Sequence, residues 1–170
     1  MSTAHLAAVV VATVGCATDL HHRRIPNVLT FWAAMLGVTV SGWNGGLHAA
    51  TLSGAGWMVG LAIFFVPFAL GGLGGGDVKL LAALGAWVGP VDVIWVGLYT
   101  GIAGGVLALG TALATGYLRT AVTNLRLLVV HWRLAGVSAM PDLTLERSTA
   151  PTLAYAVPIL CGTLAMTWLR

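Results

Sequence analysis

Charge is nearly missing from this 170-residue sequence: only 8% of its residues are Asp, Glu, Lys or Arg, against 58% that are hydrophobic. A soluble domain carries about 25% charged residues to keep its surface hydrated, so that class is excluded. A disordered tail is excluded as well, because such segments combine high charge with low hydrophobicity. Cysteine is scarce too. Cys16 and Cys161 lie in apolar stretches near opposite ends of the chain and match no metal-ligand spacing. A disulfide-stapled module is therefore out, and both read as small buried packing residues. The net charge of +3 is spread between apolar segments, with no basic cluster that could track nucleic acid. No basic residue precedes the first apolar run; Arg23 comes after it. That run is expected to be a retained span and not a cleaved signal.

What remains is hydrophobicity, with a mean hydropathy of +0.93, arranged in runs. The runs predict an all-α, polytopic membrane helix bundle with about six transmembrane helices, over about 4–18, 28–41, 51–70, 78–88, 91–116 and 151–169. Between them lie polar or glycine-rich breaks at 19–27, 42–46 and 71–77, and the pair Gly89-Pro90. At roughly 20 residues per span, six spans use about 120 residues. The chain is then one integral-membrane domain, 1–170, with no separate soluble unit. Arg23, Arg24, Lys79, Arg119, Arg126, Arg133 and Arg147 fall on one side of this arrangement and Arg170 on the other. The positive-inside rule puts that first group in the cytoplasm and both termini outside it. Trp43, Trp87, Trp95 and Trp168 cluster at the predicted outer boundary, where amphipathic rings prefer to sit.

The long inner loop, about 117–150, contains a further pattern. Arg119, Arg126 and Arg133 recur every seven residues, and Leu118, Val122, Leu125, Val129 and Trp132 recur at helical spacing on another face. This predicts an interfacial amphipathic helix resting on anionic headgroups, either as a plain connector or as a guide for substrate.

Five acidic residues exist. Asp142 and Glu146 fall in the inner loop and Asp92 in an outer turn, where solvated roles explain them. Asp19 and Asp77 sit instead at the margins of apolar spans, where an ionisable side chain is costly and marks a functional candidate. Asp77 follows three glycines and reads equally as the N-cap of the fourth helix. Asp19 ends a helix, where the macrodipole disfavours a carboxylate, unless Arg23 or Arg24 neutralises it. Two predicted spans separate the pair, so both carboxylates return to the inner face at similar depth. Two carboxylates held close share a proton, and such a pair suits peptide hydrolysis. Gly74 to Gly76 would let a substrate backbone approach and let the loop take positive φ angles. Lys79 reads as an interfacial anchor, or as a charge that tunes the local field. His5, His21, His22, His48 and His131 form no recognisable ligand set, and no metal is expected.

Asp19 with Arg24-Ile25-Pro26-Asn27, followed by Gly74-Gly75-Gly76-Asp77-Val78-Lys79, resembles the type IV prepilin leader peptidases, intramembrane aspartic proteases with a Gly-x-Gly-Asp motif. Tyr155-Ala156-Val157-Pro158-Ile159 is similar to that family's C-terminal motif. The resemblance implies Asp19 and Asp77 as the catalytic dyad. Gly74, Gly76, Lys79, Arg24, Pro26 and Asn27 would shape the loop or bind substrate, beside Arg23. It implies no cofactor, and as substrate a prepilin or pseudopilin whose basic leader is cut at the cytoplasmic face of a bacterial or archaeal inner membrane. Lacking the paired Cys-x-x-Cys motifs of the long members, the chain resembles the short form that serves Flp-like pilins, without the methyltransferase region. The alternative from another class is a transporter subunit or pilus-assembly scaffold using the acidic pair for ion coupling.

Overall fold

The computed structural model describes residues 2–138 and 154–170, and the regular structure among them is helical. The loop residues Asp142, Glu146 and Arg147 lie outside the described residues. Ser2 begins the first helix, its Oγ accepting the His5 N–H at 3.2 Å. This helix, α1 (Thr3–His22), ends at Arg23 in the left-handed region (φ 52), whose N–H reaches the Asp19 carbonyl at 2.8 Å. Then follow α2 (Asn27–Ala69), α3 (Gly75–Ala114), α4 (Leu118–Ala135) and α5 (Ala156–Leu169). Among the described residues, α1, α2 and α3 are long and apolar enough to cross a membrane, and α5 is a shorter apolar helix of 14 residues. Only 22% of the apolar window of α1, 22% of that of α2 and 28% of that of α3 is buried. Their remaining apolar faces need lipid, and the protein is a multi-pass membrane bundle.

The break expected at 42–46 is shorter than the sequence suggests, while the one at Gly89-Pro90 falls where expected. Residues 42–45 remain helical, and only Gly46 leaves the helix (φ 67, ψ −162). In α3, only Gly89 does so (φ 84, ψ 176), directly before Pro90. The 43 residues of α2 would run about 65 Å if straight, twice the roughly 30 Å hydrocarbon thickness. Glycine supplies the positive φ that a single-residue hinge requires, and the extended ψ before Pro90 completes the second one. Each long helix folds back on itself there. Phe31 and Met35 share one groove with Trp57 and Leu61 of the second half of α2, and Gly97 returns to Leu81 within α3.

Small residues let the backbones close in, as membrane helix contacts require. A β-carbon on Gly56 would strike the Gly85 carbonyl and lie 2.8 Å from the Gly89 Cα; one on Gly60 would lie 2.6 Å from the Leu81 carbonyl. The first half of α3 is thereby enclosed, and Leu80, Leu81 and Leu84 are fully buried. On its other side α5 presents Ile159, Gly162, Thr163 and Met166 as one buried stripe. Because backbone carbonyls cannot yield as side-chain tips do, Gly56→Val is expected to cost about 3 kcal/mol, or about 10 °C in the melting midpoint of the detergent-solubilised protein. A thermal unfolding curve matching wild type would contradict this packing.

Three readings change with the fold. Cys16 is buried as expected, but Cys161 is exposed, because it lies off the stripe by which α5 packs. Asp92 belongs to α3 and not to a solvated turn. Its carboxylate meets His5 Nε2 and Arg170 Nη1, each at 3.6 Å, tying α1, α3 and the end of α5 together. Trp43 and Trp168 are 90% and 82% exposed, whereas Trp87 turns inward and donates to the Ala33 carbonyl at 2.8 Å. The amphipathic helix forms as α4, with Arg119, Arg126 and Arg133 on it and Leu125, Val129 and Leu134 exposed.

Candidate active site

Asp19 lies in the last turn of α1 and Asp77 in the first turn of α3, both half-buried. These ends meet at the end of the bundle opposite Asp92, and the two carboxylates lie within electrostatic range of one another. Each is held at a helix N-terminus. The N-cap of α3 is Gly74, so Asp77 stands three residues into the helix and is not its cap. Its carboxylate reaches back to accept the Gly74 backbone N–H, half of a capping box. Asp19 Oδ2 accepts the Ala156 N–H, the first residue of α5, at 3.4 Å. The unfavourable C-terminal pole of α1 is thus opposed by the favourable N-terminal pole of α5. That local cost of placing a carboxylate at the end of α1 is offset by a helix more than a hundred residues further along the chain.

The glycines act by lateral space and not by positive φ. Gly74 is extended (φ −78, ψ 146), Gly75 and Gly76 are helical, and the left-handed residue of this loop is Gly71 (φ 77). A β-carbon on Gly74 would come to 3.1 Å from Asp77 Oδ2, so its absence gives the carboxylate room. One on Gly76 would press on Ile25 at 3.2 Å, and Ile25 is itself buried. Through this contact the segment after Asp19 packs directly on the segment before Asp77.

A second link joins the same two segments. Lys79 Nζ donates to Asn27 Oδ1 at 2.8 Å. Asn27 opens α2 behind Pro26, whose carbonyl accepts the Leu29 and Thr30 amides at 3.1 and 3.4 Å. Pro26 is thus the N-cap residue of α2, its fixed φ directing the chain into the helix. Arg24 is exposed, as is the side chain of Arg23. Of the residues singled out in the sequence, Asp19, Asp77 and Gly74 form one cluster, Gly76 packs against Ile25 beside it, and Asn27 pairs with Lys79.

Tyr155 was not among the singled-out site residues, although its surrounding motif was visible. Its ring packs edge-on against Phe64 at 5.9 Å, and its hydroxyl would lie 2.9 Å from a β-carbon on Gly104. It also lies within electrostatic range of Asp77, so the start of α5 stands near both carboxylates, with the Ala156 amide in contact with Asp19. Among the described residues, no three or more His, Cys, Asp or Glu side chains are grouped to hold a metal ion.

Compared with known families, residues 6–109 match the model of the type IV leader peptidase family, a segment that carries α1, α2, most of α3 and both aspartates. No curated protein and no solved structure matches the chain.

Proposed function

Because the chain belongs to the type IV leader peptidase family, we propose that it is an intramembrane aspartic endopeptidase with Asp19 and Asp77 as its dyad. The observation that carries the reading is the meeting of two carboxylates from separate helices at one end of an apolar bundle, each backed by a helix N-terminus. Repulsion at short range leaves one proton shared between such groups. The ionised partner takes a proton from water as the water oxygen attacks the scissile carbonyl carbon, while the protonated partner donates to the carbonyl oxygen. Collapse of the tetrahedral species breaks the C–N bond, and the departing amine takes up a proton from the dyad. No metal or cofactor enters these steps.

The substrate we propose is a prepilin or pseudopilin of the Flp-like kind, cut between its basic leader and its apolar segment at the cytoplasmic face. Counting each half of α2 and α3 as one crossing, with α1 and α5, gives six spans. With that count, the positive-inside rule supports a cytoplasmic side for both aspartates and for the cationic helix α4, which rests on anionic headgroups in this reading.

The test is reconstitution of the full chain into liposomes with a membrane-anchored prepilin, with products read by mass spectrometry. A single cut ahead of the apolar segment is expected. Intact substrate together with a proton or ion flux through the same liposomes would establish the transporter reading instead.

A further inference from the structure

The sharpest feature that the proposed dyad does not use is a groove of about 470 Å³ between the two halves of α2 and the start of α3. Its walls are apolar, with Phe31, Met35, Trp57 and Leu61 along its length and Lys79 and Asn27 at one end. Lys79 is the chain's one lysine, and none of the residues lining the groove is acidic. Its ammonium donates to Asn27 Oδ1, a neutral acceptor. Two ammonium N–H groups and the Asn27 amide N–H groups are then left as donors at the mouth of an apolar channel. That is a cationic, donor-rich head on an apolar tail, the complement of an anionic lipid.

Dimensions and facing select the occupant. From Asn27 to Val38 the groove follows about 11 residues of helix, or about 16 Å, close to one leaflet of a roughly 30 Å core. Along that length a volume of about 470 Å³ suits one slender chain. Lys79 and Asp77 are two positions apart on α3, about 200° around the helix. The groove therefore opens on the face turned away from the dyad, and a polypeptide presented to Asp77 does not run through it.

We propose that this groove is a binding site for one anionic glycerophospholipid, its phosphate held by Lys79 and Asn27 and one acyl chain lying between the halves of α2. The site stands whether or not the chain is a peptidase, since its readout is lipid retention. Gly54 supplies the second arm of the test. It lines the groove, and a β-carbon there meets no atom within 4 Å, so the Gly54→Leu side chain enters the channel from its wall with no clash at its first atom.

The experiment is native mass spectrometry of the full chain in neutral detergent, titrated with phosphatidylglycerol, phosphatidylcholine or inorganic phosphate. Wild type is expected to retain phosphatidylglycerol about fivefold better than phosphatidylcholine, the worth of one basic side chain at an anionic headgroup, and not to retain inorganic phosphate. Lys79→Gln should erase the preference, and Gly54→Leu should reduce retention of both lipids while keeping the wild-type melting midpoint. An unchanged preference in Lys79→Gln, or unchanged retention in Gly54→Leu, overturns the proposal. A raised KM for prepilin in Gly54→Leu with lipid retention intact does so too, by showing that the groove holds substrate.

Discussion

Asp77→Asn is expected to yield a protein that inserts and folds but cleaves prepilin about 10⁴-fold more slowly, the upper range for loss of a general acid–base group. The substitution keeps the shape of the side chain and an oxygen that can accept the Gly74 N–H, so the start of α3 retains its capping contact. Asp19→Asn likewise keeps an acceptor for the Ala156 amide. What both changes remove is the shared proton, since an amide can neither take a proton from water nor pass one to the leaving amine. Groups that act as a unit lose activity together, so the double variant should be no slower than either single one. The measurement is single-turnover cleavage in liposomes beside a thermal unfolding curve. Cleavage by either single variant above a tenth of the wild-type rate removes the dyad from the mechanism.

Gly74→Ala should lower kcat about fivefold while leaving the melting midpoint within a few degrees of wild type. The backbone of Gly74 already lies in a region open to alanine (φ −78, ψ 146), so no backbone strain follows. The added methyl instead comes to 3.1 Å from Asp77 Oδ2 and displaces the carboxylate from the position the Gly74 amide holds. At that distance the carboxylate must give by a few tenths of an ångström, and since about 1 Å at reacting groups is worth about 10² in rate, a shift of this size is worth about fivefold. Gly101 is the matched control, because a β-carbon there meets no neighbour within 4 Å and Gly101→Ala should cleave normally. If Gly74→Ala keeps the wild-type kcat, the glycine serves some need other than clearance for the carboxylate.

Much of this arrangement is legible in the order of residues alone. The apolar runs specify helices because hydropathy and period are local properties, and the seven-residue spacing of Arg119, Arg126 and Arg133 marks α4 for the same reason. Asp19 and Asp77 stand out because carboxylates are costly at the margin of a span, and the even number of apolar runs between them already puts them at one end. Which faces of the helices meet is a different kind of information. No local pattern shows that the Ala156 amide closes on Asp19, or that Tyr155 comes within electrostatic range of Asp77. Nor does it show that Gly74 and Gly76 are small to clear Asp77 and Ile25. The single-residue hinge at Gly46, where a loop over 42–46 was expected, and the outward turn of Cys161 belong here too. All of these depend on contacts between segments far apart in the chain, where backbone clearance and the pairing of buried polar groups select one packing from many that the same hydropathy profile permits.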